Sequence, residues 1–420
     1  MRTIKTWLAT IVVLLCSMTA SAWDIEFNGI YYKKNGNGTV GVVYHENYKY
    51  KIANPVIPKE VTYISGRYEA KATVTSIEAG AFAGAGIWSI TLPESITEIG
   101  EGAFRGTNLT SFTFPKKVEK ISPHIFEGCK ELKSIDLPEW FDEIGAYAFA
   151  RTAIDSFSIP KRITKIEDGV FEGCSKLQSI DIPSEVTQIG KEAFAGTAID
   201  SFSIPKRITK IEDGVFKGCS KLQSIDIPSE VTQIGYEAFA GCSKLKTITI
   251  PSGVTEIGKK AFMGCSGLTS LIIPNGIQNI KDETFANCTS LATIVIPSTL
   301  KEITYNAFSG CKQLKTIINF SQLTLEEGSK DNGQIAYYAN RIRNVTDGYI
   351  ENNCVLGAAD TVNVLCAYLG NETELVLPAN YKGEKYIIDY SVFQNKTNLT
   401  TITIPSSVTD IRDRAFYGCI

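Results

Sequence analysis

Histidine is almost missing: His45 and His124 are the only two in 420 residues, and they stand in unrelated contexts. A histidine-based catalytic triad or metal cage therefore has too little to be built from. The eleven cysteines contain no C-x-x-C, which removes the usual spacing for zinc or thioredoxin-type chemistry. No phosphate-binding glycine loop and no nucleophile-base pair is found, so neither an enzyme nor a cofactor is expected. Beyond Ala22 no stretch is long and apolar enough to span a bilayer, and no transmembrane segment is expected in the mature chain. Strong charge of either sign is missing too, with 42 Lys+Arg against 45 Asp+Glu, so nucleic acid is not an expected partner.

What is present begins with a secretory pattern over residues 1–22. Arg2 and Lys5 precede the apolar run Trp7 to Cys16, and Ala20-Ser21-Ala22 supplies small residues for cleavage before Trp23. Cys16 follows Leu15, where a lipoprotein signal has a small residue, so a simple signal without lipid is expected. Losing Arg2 and Lys5 from the 42 basic residues leaves 40 against 45 acidic ones, a mild net charge of −5. The expected location is the cell surface, the extracellular space or the periplasm. With 44% hydrophobic residues, a chain this long can bury a large core.

Self-similarity decides the architecture. Phenylalanine returns at 82, 104, 126, 149, 171, 194, 216, 239, 262, 285 and 308, then at 393 and 416, always 22 or 23 residues apart within each run. The unit reads approximately L-x-S-I-x-I-P-x-x-V-T-x-I-G-x-x-A-F-x-G-C, as in Leu222 to Cys242. One unit cannot bury its own Ile and Phe, so stacked neighbours must cover them. Alternation in Ser224-Ile225-Asp226-Ile227-Pro228 predicts a short strand with the two Ile inward and Ser224 and Asp226 outward. Pro228 ends it, and the return of that proline marks one edge of an expected continuous parallel sheet. Val231 and Ile234 suggest a second extended or turning segment, with Ala238-Phe239 on a short helical turn. Two residues after each Phe stands Gly or Asn, except at Arg151, which predicts a left-handed corner. Units with Thr107, Thr152 or Thr197 after that corner are one residue shorter than those with Cys.

These blocks resemble the BspA-type leucine-rich repeats of secreted and surface proteins, especially those of Bacteroides-like bacteria. The likeness covers roughly residues 60–318 and 375–420. It implies a β-rich leucine-rich-repeat solenoid, a curved parallel-stranded array, with adhesive or recognition roles and a protein or glycan of the cell surface or extracellular space as partner. Ligands differ among such proteins and do not transfer to this chain.

The expected organisation is a signal over 1–22, a β-rich N-terminal cap over 23–75, a first array over 76–318, an irregular segment over 319–374, and a second cap-like start with further repeats over 375–420. Leu375-Val376-Leu377-Pro378 echoes Val56-Ile57-Pro58. Residues 152–190 recur at 197–235 with a single change, Glu172 to Lys217, so a pair of units was copied. The chain stops at Ile420 directly after an A-F-x-G-C block, which implies an atypical cap or an early end.

One outward column of the strands carries the candidate binding face: Asp136, Ser158, Asp181, Ser203, Asp226 and Thr249. Its three aspartates, about 10 Å apart on alternate strands, are too distant to share a calcium ion, and no metal is expected. The column then turns apolar at Ile272, Val295 and Ile318, a strip that needs covering or forms an alternative binding patch. Ile335, Tyr337, Tyr338 and Leu365 of the irregular segment are the expected cover. Arg162, Glu185, Arg207 and Glu230 alternate in sign and are expected to pair as a ladder. Eight cysteines share one corner position; their side chains should point in parallel and stay unpaired, a buried thiol column. The pairing of Cys354 with Cys366 is left open. The favoured function is recognition of a protein or glycan through the repeat surface, followed by a structural spacer role, with catalysis a distant third.

Overall fold

The computed structural model describes residues 23–48, 52–359 and 361–419, so the signal expected over 1–22 and its Cys16 lie outside the described residues. Contacts divide the chain into two compact units, Met1–Glu185 and Val186–Ile420.

The first unit opens with β-structure because Ile25, Ile30, Tyr32, Val40 and Val42 supply inward apolar positions. Ile25–Phe27, Ile30–Lys34 and Thr39–Val42 pair antiparallel in sequence. Tyr68–Ile77 then pairs antiparallel with Glu60–Ser65 and parallel with Thr39–Val42. Its end reaches Glu98–Ile99 in parallel, which passes the ladder to the repeats. Tyr48 accepts a hydrogen bond from the Tyr31 amide at 2.7 Å and stacks on Phe82 at 5.1 Å between centroids. A ring thus covers the exposed start of the Phe column, as a solenoid end requires.

A repeat of the second unit shows how one turn is built. Ser224–Asp226 is a three-residue strand paired in parallel with Ser201–Ser203; Ile225 is buried, while Ser224 and Asp226 are exposed. The Val231 amide donates to the Pro228 carbonyl at 3.1 Å, turning the chain. Gln233–Ile234 then forms a two-residue strand between Lys210–Ile211 and Glu256–Ile257. The parallel ladder is therefore real but broken into short groups rather than continuous. Strands such as Ser201–Ser203 and Ser224–Asp226 are only three residues long and run into a proline without a donor, and those such as Gln233–Ile234 are two residues long, so a rung holds few ladder bonds.

The Ala238-Phe239 segment is not the expected helical turn but a series of tight turns. Amides of Glu237, Phe239 and Gly241 donate to Lys259, Ala261 and Met263 of the following turn at 3.1, 2.8 and 2.7 Å. The amides between alternate with these: Ala240 donates back to Glu237 at 3.0 Å and Cys242 to Phe239 at 3.1 Å. Left-handed φ at Glu237 (52°) and Gly241 (78°) on either side of Phe239 stops any helix from propagating. The corner two residues after Phe is left-handed in every unit, including Arg151 at φ 58°. A second left-handed position, two residues before Phe, has no counterpart in the sequence reading. Nine of its thirteen occupants are not glycine: His124, Tyr147, Glu192, Glu237, Lys260, Glu283, Asn306, Ser391 and Arg414.

The Phe rings stack as columns within each unit. Spacings are 5.8–5.9 Å from Phe82 to Phe171 and, in the second unit, 5.9 Å for Phe194–Phe216 and 5.2–5.5 Å from Phe216 to Phe308. Three of the wider pairs hold an extra strand ring: Phe112 between Phe104 and Phe126, Phe157 between Phe149 and Phe171, and Phe202 between Phe194 and Phe216. Burial of these rings and of the Ile and Leu around them is the main source of stability, at roughly 1.5–3 kcal/mol per side chain.

The segment after Phe308 is more regular than its sequence suggests. Arg341–Asn344 adds a fourth strand, in parallel and in register, to the sheet of Ser270–Ile272, Thr293–Ile296 and Thr316–Asn319. The amide of Phe308 donates to Gly333 at 2.9 Å, so residues around Gly333 complete another turn. Thr346–Glu351, Cys354–Ala359 and Val362–Tyr368 follow as an antiparallel meander. Tyr386–Ile388 and Val408–Ile411 extend that sheet in parallel, and the ring column restarts as Tyr368, Phe393 and Phe416, 5.3 and 4.8 Å apart.

Candidate binding surfaces

In the first unit Asp136, Ser158 and Asp181 all lie exposed on the outer side of their rungs, with Ser158 and Asp181 paired neighbours. With Ser134, Ser156 and Ser179 they border a shallow groove of about 380 Å³. In the second unit Ser203, Asp226 and Thr249 are likewise exposed, Ser203 and Asp226 on paired strands. Such positions face water because strand side chains alternate and the inward set is already spent on the core.

The expected charge ladder does not form. Arg162 reaches Asp142 at 3.7 Å, while Glu185 accepts from Ser184 at 3.0 Å and Glu230 from Ser229 at 3.1 Å. All are exposed, and holding two long side chains in one geometry gains little there.

The apolar end of the column lies within the second unit. Val295 is 2% exposed and Ile318 fully buried, in a cluster with Val345, Val355, Val364 and Cys366; Ile272 packs at its edge, half-buried. The covering residues come from the meander and not from the four side chains singled out in the sequence. Ile335 is buried near Gly333 in the added turn, Tyr337 is exposed, Tyr338 half-buried, and Leu365 faces the opposite cluster with Cys354 and Phe393. Successive residues of a strand point to opposite faces, so Val364 and Leu365 go to different cores. The same alternation places Cys354 and Cys366 in separate clusters, and both are unpaired.

Where the meander meets the array, its edge and the outer rung face form a cleft of about 350 Å³. Thr247, Thr249, Ser270 and Ile272 make one wall, and Asn353 with Leu369–Glu372 the other. Thr249 of the polar column and Ile272 of the apolar strip therefore share one concavity. Burial would raise the Glu372 carboxyl, but the hydroxyl of Tyr368, the Asn353 amide and backbone amides outweigh it and hold the pKa below the ordinary value.

A buried charge cluster braces the same region. Asp389, 1% exposed, meets Arg341 at 2.8 Å, Arg343 at 2.9 Å and Arg412 at 3.0 Å. Burial pushes this carboxyl up, yet the Tyr390 amide and the arginines hold it below the usual range. None of these residues stood out in the sequence. Arg341 and Arg343 sit on a strand, R-I-R-N, that lacks the S-I-x-I-P block by which rungs are recognised.

The thiols are unpaired among all described residues. Cys242, Cys265, Cys288 and Cys311 donate to carbonyls of Phe216, Phe239, Phe262 and Phe285 at 3.1–3.2 Å. Burial pushes Cys219 up to about 11 and Cys265 to about 12. Thr197, in a shorter unit, instead donates its hydroxyl to the carbonyl of its own turn's Phe194 at 2.9 Å, the carbonyl that Cys219 of the next turn also reaches at 3.1 Å. Among the described residues no group of three or more His, Cys, Asp or Glu is arranged to hold a metal ion, and no helix is long and apolar enough to cross a membrane.

Parallel rungs about 23 residues apart, inward Phe and Ile and a polar outer face define a leucine-rich-repeat β-solenoid. The chain belongs to the family described as BspA type Leucine rich repeat region, which matches in six copies, five of them overlapping over residues 47–105, 66–171, 97–223, 142–269 and 209–329 and a separate one over 371–420. Among solved structures it is similar to a leucine-rich repeat protein from Bacteroides ovatus, with 25% identity, 95% of this chain and 93% of that one covered, and a TM-score of 0.56. A leucine rich cell surface protein from Faecalibacterium prausnitzii shares 27% identity over 78% of this chain and 96% of its own, with a TM-score of 0.55. The pneumococcal vaccine antigen PcpA, at 18% identity and a TM-score of 0.54 over 93% of this chain and 98% of its own, shares the fold. No curated protein matches the sequence.

Proposed function

We propose that this chain is an exported, non-catalytic recognition protein that binds a protein or glycan at the cell surface through the outer faces of its rungs. The observation that carries the reading is the exposure of Asp136, Ser158 and Asp181 in one unit and of Ser203, Asp226 and Thr249 in the other. These hydroxyls and carboxylates stand on a backbone already fixed by neighbouring turns, so a partner meets many weak contacts without an ordering cost. The family, the cell-surface protein among its relatives and the signal-like pattern of residues 1–22 support export. Protease shaving of intact cells tests the location, and a glycan and host-protein array probed with the mature chain tests binding. Intact mass of the exported product should place Trp23 first with no lipid; a diacylated Cys16 would contradict this.

The uniformity of those exposed positions favours one other reading, a spacer that holds other elements away from the envelope. A spacer tolerates replacement of Asp136, Ser158 and Asp181 together without any loss of surface capture. A recognition face does not.

A further inference from the structure

We propose that the cleft between Thr247–Ile272 and the loop Leu369–Glu372 is a binding site for a neutral, hydroxyl-rich sugar unit of a glycan. The inference rests on the recognition reading and gives it a specific site.

The first argument is the composition of the walls. Thr247, Thr249 and Ser270 present hydroxyls, Asn353 and Asn371 carboxamides, and Glu372 a carboxylate, above a small apolar patch of Ile272 and Leu369. Carboxamides donate to and accept from sugar hydroxyls, the carboxylate accepts from them, and the apolar patch suits the C–H face of a pyranose ring. No Lys, Arg or His lines the cleft itself, so an acidic ligand would meet the Glu372 carboxylate with no cation in contact range on the walls, Lys396 being engaged with the Gly370 carbonyl. Ser270–Ile272 is bonded on one side to Thr293–Ile296, and on the other the Lys246 carbonyl of the preceding rung accepts from the Thr269 amide at 3.1 Å, so stacked rungs rather than an open backbone edge form this wall for an extended peptide to meet.

Pre-organisation is the second argument. The loop Leu369–Glu372 is tied by a hydrogen bond at every residue. The Leu369 amide donates to Asn353 at 2.8 Å, Lys396 Nζ to the Gly370 carbonyl at 2.8 Å, Asn398 Nδ2 to Asn371 Oδ1 at 2.9 Å, and Asn353 Nδ2 to Glu372 Oε1 at 2.7 Å. The Tyr368 hydroxyl also donates to Glu372. Gly370 lies so close to the Glu372 carboxylate and the Tyr368 ring that any added Cβ would have to displace them. A wall built this way meets its ligand already in place, which is where binding sites save affinity. At about 350 Å³ the cleft also falls within the ~300–1,000 Å³ range of small-ligand pockets.

Methyl NMR of the full mature chain reads the site locally, with the Ile272 and Ile248 resonances assigned by Ile→Val substitution. The probes are neutral gluco-, manno-, xylo- and galacto-oligosaccharides of four to six units, with oligogalacturonate as the acidic comparator. At least one neutral probe should shift the Ile272 methyl saturably, and Asn353→Ala and Gly370→Ala should each weaken it at least tenfold while methyl resonances remote from the cleft stay at their folded positions. Glu372→Gln should weaken it less, and Asp181→Ala not at all. The proposal is overturned if no neutral probe moves Ile272, if oligogalacturonate binds more tightly, or if binding survives both Asn353→Ala and Gly370→Ala. Glycan or protein capture that persists in those variants and is lost with Asp181→Ala leaves the rung-face reading standing while removing the cleft.

Discussion

Val295→Asp tests whether the apolar end of the outer column is structural. Val295 is 2% exposed among Ile318, Val345, Val355 and Val364, so the substitution first loses the burial of its own side chain, about 1.5–3 kcal/mol. It then places a carboxylate in an apolar cluster, an effective penalty of several kcal/mol unless the group takes up a proton. Arg343 is not free to rescue it: the register runs Val295, Ile318, Arg343, which puts its backbone two rungs away, about 10 Å at ~4.8 Å per rung, and its guanidinium is held by Asp389 at 2.9 Å. The expected total is on the order of 5 kcal/mol of the second unit's stability. Val295→Thr keeps the shape, adds one hydroxyl and should lose about 1–3 kcal/mol. Asp181→Ala, on an exposed rung position, should stay within about 0.5 kcal/mol of the parent and at most weaken binding. Calorimetry and urea titration of the three variants, read beside ligand capture, decide the matter. If Val295→Asp melts like the parent and yet abolishes capture, the strip is the binding site and the two faces exchange roles.

Asp389→Asn leaves three arginines facing a neutral amide and should destabilise the second unit by about 3–5 kcal/mol at pH 7. Because the folded carboxyl titrates below its unfolded value of about 3.9, the gap to the parent should be full above pH 4 and close as pH falls through the folded value; a gap constant down to pH 2 refutes the assignment. With its pKa near 12, Cys265 should resist a disulfide-exchange reagent at pH 8 until the protein is denatured, and a non-reducing peptide map should show no bond among Cys219, Cys242, Cys265, Cys288 and Cys311. Glu192→Gly relieves a left-handed side chain at φ 54° and should stabilise by about 0.5–1 kcal/mol; equal or lower stability would mean that the position carries no strain.

The solenoid was legible because its signals repeat: a Phe every 22 or 23 residues, a proline closing each strand, and Gly or Asn at one corner. The other left-handed position was not, since His124, Tyr147, Glu192 and Lys260 share no chemistry that betrays it. There the backbone is dictated by the turns stacked on either side, whose amides and carbonyls alternate between local and inter-turn bonds, and the side chain is left to tolerate the result. The expected helical turn failed for that same reason. Of the binding surface, the exposed column could be read from strand alternation alone. The meander's part could not: a register shift between Val355 and Leu356 helps decide which of its residues face Val295, and no local pattern announces it. The cleft and the Asp389 cluster depend on contacts between segments tens of residues apart, beyond the reach of any repeat.

The copied pair shows how neighbouring turns constrain what a repeat may carry. Glu172 accepts from Arg151 at 3.0 Å, and Arg151 also reaches Glu127 at 3.2 Å, so in the first unit an acidic residue at this corner answers a basic one on the preceding turn. In the copy the residue corresponding to Arg151 is Gly196, and the one changed position, Lys217, pairs with Glu237 of the following turn at 2.6 Å, where Tyr236 also donates to the same carboxylate. The sign of the charge reversed, and the partner moved from the turn before to the turn after. The basic partner of each pair is solvent-exposed although Glu127 and Glu237 are buried, so each pair is worth on the order of 1 kcal/mol, and the exchange leaves the fold untouched while keeping like charges apart. Copying therefore multiplies the rung face readily and demands repair only at its boundaries. A preference that needs one unrepeated constellation has no stable home on that face. It belongs where the period breaks, at the meander, and there Asn353, Gly370 and Glu372 close the cleft over Thr249 and Ile272.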